Sequence, residues 1–176
     1  MIYNFKCLSL DDMEIINSYV KNNSIESYEY LFSSLYMWRK LNNVKYAIID
    51  DALVIEKNEE GKGTFYAQPL GYKKDKLVNI IESLIERNEN YTDRDYLFGD
   101  VDEEFINDLK KYTDYRIEII EDVDDFEYVY NTKDLIELKG KKYHSKKNHV
   151  NTFEKTYKYE IKSINNENVI KDCLTL

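Results

Sequence analysis

Cysteine is nearly absent: Cys7 and Cys173 stand at opposite ends of a 176-residue chain. That excludes a disulfide framework and a cysteine-based metal knuckle, and each cysteine is expected on the apolar side of its element, a strand and a helix. Histidine is equally scarce. His144 and His149 are five residues apart, so on a helix they point well over about 90° away from each other and cannot share one metal ion. No metal site is expected. One proline and five glycines leave no low-complexity linker, and no internal repeat of short period occurs. The acidic run Glu121-Asp122-Val123-Asp124-Asp125 lacks the glycine and the ligand spacing of a calcium loop, so it reads as a solvated turn. No apolar run approaches the length of a membrane span, and the start, Met1-Ile2-Tyr3-Asn4-Phe5-Lys6, has no basic segment followed by an apolar one. A soluble cytoplasmic protein is expected, with at most peripheral membrane contact.

What is present is an acidic, tyrosine-rich chain. Net charge is −9 and the isoelectric point is near 4.9, which argues against wholesale wrapping of nucleic acid. An apolar content of 43% suffices for one core, although 17 tyrosines bring hydroxyls that each need a partner.

Periodicity gives the elements in order. A strand is expected over Ile2–Leu8, a helix from Asp11 to about Lys21, and a second helix from Ser27 to about Leu41. Strands follow at Val44–Ile49 and Ala52–Glu56, joined by a tight turn at Asp50-Asp51 that lacks the glycine such turns prefer. Thr64–Gln68 is a third strand of this group, and Lys73 to about Asn88 is a long amphipathic helix. The rest alternates: strand Asp95–Phe98, helix Asp102–Lys111, strands Tyr115–Ile120 and Phe126–Tyr130. Trp38, Leu35, Ile48, Val54, Leu77, Ile81 and Phe98 are the expected core. Between strand and helix, Gln68 and Gly71 form a turn where backbone N–H groups could meet a phosphate.

The stretch from Val129 to Phe153 departs from this pattern. Between Lys133 and Lys147 it holds six lysines against two acids, a positive segment in an acidic chain and hence a candidate contact for an anionic partner. Read as a helix, it places His144, Asn148 and Asn151 on one side, and Tyr143, Val150, Phe153 and Tyr157 in an apolar seam. Its core, Leu138-Lys139-Gly140-Lys141-Lys142-Tyr143-His144-Ser145-Lys146-Lys147-Asn148-His149-Val150-Asn151-Thr152-Phe153, resembles the signature of the bacterial DUF2156 family. Members of that family are similar to the C-terminal domain of phosphatidylglycerol lysyltransferase. Earlier pieces agree: Glu29-Tyr30-Leu31-Phe32, Met37-Trp38-Arg39, Tyr46-Ala47-Ile48-Ile49-Asp50-Asp51 and Gln68-Pro69-Leu70-Gly71.

The element order is that of an α/β acyl-CoA-type N-acetyltransferase (GNAT) fold, a mixed sheet with helices on both faces. Residues 1–130 are expected to form it, 131–156 a basic linking helix, and 157–176 (strand Lys158–Ile164, helix Asn165–Leu174) the start of a second GNAT-like repeat. The resemblance implies the same, since family members look like tandem GNAT-like domains longer than this chain. It also implies aminoacyl transfer from tRNA to a lipid or amine acceptor, with the catalytic centre mainly in the second domain. In that reading Lys139, Lys141, Lys142, Lys146 and Lys147 bind phosphates of tRNA or of an anionic lipid head group, and His144 or Asn148 orients polar groups. No catalytic residue is identified. Two other readings stay open: an acyl-CoA-dependent N-acetyltransferase, for which Gln68-Pro69-Leu70-Gly71 is only a degenerate pyrophosphate signature, and a non-catalytic scaffold docking an acidic partner. The apolar tail residues Ile161, Ile164, Val169, Ile170 and Leu174 are expected either to pack back on the first domain or to self-associate with another copy.

Overall fold

The computed structural model describes residues 3–23, 27–88, 96–123 and 126–175. Ile2, Asp95, Asp124, Asp125 and Leu176 lie outside them. The chain falls into two compact units, residues 1–123 and 124–176.

The first unit is built on a five-stranded sheet in sequence order, β1 (Lys6–Cys7), β2 (Lys45–Ile49), β3 (Ala52–Glu59), β4 (Gly63–Ala67) and β5 (Phe98–Gly99). The first four are antiparallel neighbours, and β5 joins β4 in parallel. Asp50 and Asp51 both take positive φ, 47° and 67°, the backbone that a two-residue primed turn requires. Side chains and backbone of this turn are tied down by Asn79 and Lys73 and by the Tyr19 hydroxyl, which donates to the Asp51 carbonyl at 2.9 Å.

Helices cover both faces of the sheet. On one side α1 (Met13–Asn22) and α2 (Phe32–Trp38) bring Ile16, Phe32 and Leu35 against Tyr46, Leu53, Ile55 and Ala67. On the other, α3 (Leu77–Asn88) brings Ile80 and Leu84 against Ala47, Ile49, Val54 and Tyr66. Alternate residues of one strand thus serve opposite layers. This is why β3 reads as an unbroken apolar run from Ala52 to Ile55. A third cluster joins Leu77 and Ile81 to Phe105 and Leu109 of α4 (Glu103–Tyr112), with Phe98 packed against it. The architecture is the expected mixed α/β, GNAT-like one, and Leu35, Val54, Leu77 and Ile81 are buried in it.

Two expected core residues are not in the core. Trp38 is 51% exposed. The buried stripe of α2 runs through Phe32 and Leu35, with Tyr36 partly packed. Trp38 lies about 60° from Leu35 on the side away from Phe32, beside the equally exposed Leu31. Ile48 is 37% exposed, because two-residue β1 pairs only with Lys45 and Tyr46 and leaves Ile48 on an uncovered edge. Cys7 and Cys173 are exposed rather than apolar-facing.

Three expected strands do not form. Tyr115–Ile120, Phe126–Tyr130 and Lys158–Ile164 join no ladder among the described residues, and most of their apolar side chains are exposed. Period-two alternation becomes a strand only where a neighbour supplies the ladder. In the second unit the expected single helix over 131–156 is two helices, α5 (Thr132–Glu137) and α6 (His144–Thr156). Leu138 closes α5 in left-handed conformation and Gly140 follows at φ 87°, which turns the chain before a 3-10 turn at Lys141–Tyr143. The tail ends in α7 (Glu167–Leu174).

Candidate anion-binding surface

Charge is divided unevenly along the chain. Residues 1–123 hold 15 basic and 25 acidic side chains, whereas 124–176 hold ten lysines and nine acids. Within the second unit the lysines are concentrated: from Lys139 to Lys158 there are seven, against the single acid Glu154. The N-terminus of α6 has no acid in its first turn, and Lys141, Lys142, Lys146 and Lys147 flank it in sequence. Such an end already carries partial positive charge from its unpaired N–H groups, so adding lysines costs folding energy and favours an anion.

The seven candidate residues from Lys139 to Asn148 are not equivalent. Lys139 pairs with Glu137 at 2.9 Å. Lys142 pairs with Asp134 at 3.3 Å and lies over the Tyr143 ring at 4.6 Å, and these two neighbours raise its pKa, Tyr143 more than Asp134. It therefore turns toward α5, which carries Asp134. Lys141, Lys146 and Lys147 are exposed and make no ion pair among the described residues. His144 and Asn148 do meet, with Asn148 Nδ2 3.4 Å from His144 Nδ1. By rotation along α6, Lys147, Asn151 and Lys155 share their side. Lys155 was legible from the same wheel and escaped the sequence reading.

Behind this surface lies a groove of about 490 Å³ lined by Val129, Tyr130, Asn131, Asp134, Lys142 and Tyr143. Tyr143 is buried and points its hydroxyl at Asp134. The sequence singled out Tyr143 only as part of an apolar seam.

Gln68 and Gly71 are placed differently from a phosphate turn. Gln68 is buried, its Nε2 donates to Asp102 Oδ2 at 2.7 Å, its Oε1 accepts from Asp102 N at 2.7 Å, and its backbone N–H donates to Tyr30 Oη at 3.1 Å. These bonds lock the end of β4 to the N-cap of α4. Gly71 has φ 75° and packs on the Tyr19 ring, six residues before α3 begins.

A second polar cluster, in the first unit, was invisible in the sequence. The Lys57 side chain, 3% exposed, donates to Glu29 at 2.6 Å and Asp100 at 2.7 Å, with Glu59 at 3.8 Å. Burial alone would lower its pKa, but Asp100 and Glu29 outweigh that and raise it. The three carboxylates lie within 4.8 Å of one another, and the ammonium sits among them. Lys57 is thus held in its charged form by the carboxylates around it.

The family described as "Phosphatidylglycerol lysyltransferase, C-terminal" matches residues 22–176. That span takes in most of the first unit, all of the second and the entire lysine run. The chain belongs to this family. It is also similar to a conserved protein of unknown function from Bacteroides thetaiotaomicron, known from a crystal structure, with 30% sequence identity and a TM-score of 0.82. The alignment covers 99% of this chain and 57% of that one, so the chain spans somewhat over half the length of the longer protein. No curated protein matches it. Among the described residues no helix is long and apolar enough to cross a membrane.

Proposed function

We propose that this member of the phosphatidylglycerol lysyltransferase C-terminal family serves transfer of an aminoacyl group from tRNA to a lipid or amine acceptor. The observation that carries the reading is the coincidence of family membership with a segment of seven lysines and one acid. An aminoacyl ester on tRNA is already activated. The acceptor's amine or hydroxyl attacks its carbonyl and the tRNA hydroxyl leaves, so the protein's task is to orient the donor and to steady the oxyanion that develops. In this reading Lys141, Lys146 and Lys147 hold phosphates, Lys139 and Lys142 reinforce them from their ion pairs, and His144 and Asn148 orient polar groups beside them. Residues 1–130 act as the first GNAT-like body, 131–156 as the basic link, and 157–176 as the opening of a second repeat. Donor and acceptor meet at the membrane periphery in the cytoplasm.

The test is binding as a function of salt. Aminoacyl-tRNA, and separately vesicles containing phosphatidylglycerol, are titrated at salt from about 50 to 200 mM. Each neutralised phosphate releases counterions, so affinity falls steeply with salt, and a triple K141A/K146A/K147A variant loses affinity and about one unit of slope per contact removed. Equal binding by parent and variant, or no binding by either at the lowest salt, refutes the reading.

A further inference from the structure

The segment after α6 carries apolar side chains that stay more than half exposed. Tyr157 enters it in extended conformation, φ −115° and ψ 139°. The rings of Tyr157 and Tyr159 both lie 5.1 Å from that of Phe153, and Lys162 and Glu160 pair with each other at 3.5 Å. Two-residue periodicity is therefore realised, with Tyr157, Tyr159 and Ile161 on one side and Lys158, Glu160 and Lys162 on the other. Yet Ile161 is 88% exposed, and residues 157–164 join no ladder among the described residues. Extended, half-apolar backbone without a neighbour is a template for another strand.

We propose that a second copy of this chain supplies that strand, through antiparallel pairing of Tyr159–Ser163 with itself about a two-fold axis at Ile161. The charges select this register. Residues directly opposite each other in an antiparallel pair share a face, so an axis at Ile161 sets Glu160 opposite Lys162 twice, Ile161 on Ile161, and Tyr159 opposite Ser163. Moving the axis to Glu160 sets Lys158 opposite Lys162 and glutamate on glutamate. An axis between Glu160 and Ile161 lays the charged side of one strand on the tyrosine side of the other. An axis at Tyr159 keeps Lys158 opposite Glu160, but it also sets Thr156, the last residue of α6, opposite Lys162, so that the helix of each copy runs against the strand of the other. Pairing about Ile161 uses 159–163, clear of α6 and ending before the bend at Ile164, where Asn165 N donates to the Ser163 carbonyl at 2.9 Å, and it is isologous, with each copy offering the same patch.

Light scattering across a concentration series decides it. The parent rises to twice the monomer mass. E160K and K162E each remain monomeric at the same concentrations, since each sets like charges opposite each other twice. Mixed in equal amounts they regain the dimer as a heterodimer, because the lysine introduced in one chain then faces the glutamate introduced in the other. K158E, which lies just outside the paired stretch, dimerises as the parent does. All of these side chains are exposed, and circular dichroism confirms that each variant is folded. A parent that stays monomeric throughout overturns the proposal and leaves the segment to a different polypeptide. Dimers of undiminished strength in both E160K and K162E overturn it as well, and loss with K158E but not with K162E overturns the register.

Discussion

Replacing Lys57 by methionine keeps most of the side-chain volume and removes the charge, which isolates what the ammonium does. In the parent it lies 2.6 Å from Glu29 and 2.7 Å from Asp100, with its side chain 3% exposed. In K57M three carboxylates remain within 4.8 Å of one another, with Lys62 3.6 Å from Glu59. Two like charges at that separation repel by about 3.5 kcal/mol at an effective dielectric constant near 20. Loss of one partner from a buried ionic cluster costs about 3–5 kcal/mol, so K57M is expected to lose that much at pH 7 in urea or guanidinium unfolding. The pH dependence adds a second check. Lys57 has a raised pKa in the parent, so its contribution is complete below the unfolded value near 10.4 and disappears only as pH rises through the folded value. Glu29 is lowered: burial opposes ionisation but Lys57 outweighs it. Its contribution holds above about pH 4.3. Glu59 is raised instead, by burial above all, with Lys57 opposing, so the parent itself loses some stability as pH rises through the folded value of Glu59. In K57M the crowded carboxylates bind protons more readily when folded than when unfolded, so the deficit shrinks as pH falls from about 7 to 5. A loss under about 1 kcal/mol at pH 7, the range of an exposed ion pair, or a deficit that does not change with pH, refutes this account.

Three further outcomes are expected. Gly99→Ala puts a Cβ 2.6 Å from the Phe65 ring, and overpacking of this kind costs about 1–3 kcal/mol, measured by denaturant midpoint. Asp12 is buried, which by itself opposes its charge, but bonds from Lys6, the Ser9 backbone, Tyr46 and the Ser9 hydroxyl hold its carboxyl well below the ordinary range; its stabilisation is present above about pH 3.9 and is lost as pH falls toward the native value, so D12N has a flatter acid limb in a pH series of melting temperatures. Leu35→Ala costs about 2–5 kcal/mol as a core truncation, while Trp38→Ala, at a half-exposed position, costs under about 1 kcal/mol; the reverse order in thermal unfolding would restore Trp38 to the core.

The layered sheet of the first unit was legible because several strands and helices there carry their own period. Leu77, Ile80, Ile81 and Leu84 repeat at helical spacing and are buried together, and the run from Ala52 to Ile55 is buried on both sides. The lysine run was legible for a similar reason, since six lysines against two acids need no structure to be counted. Trp38 shows where this stops. A helical stripe tells which residues share a side, but α2 is only seven residues long, and the neighbouring layer decides which flank of so short a helix is covered. The tail shows the same limit for strands: alternation marks Tyr157, Tyr159 and Ile161 as one side of an extended segment, and only a partner makes that side a sheet. Lys57 was beyond reach altogether. Its partners come from positions 29, 59 and 100, and a lysine in β3 becomes a buried charge only when folding brings carboxylates from the distant segments before α2 and after β5 to meet it. Composition and periodicity thus determined the layers and the location of the positive charge, because both are local properties of the chain. Which polar side chains are buried, which lysines are already paired, and which faces stay open were decided by tertiary packing, since each depends on groups far apart in sequence.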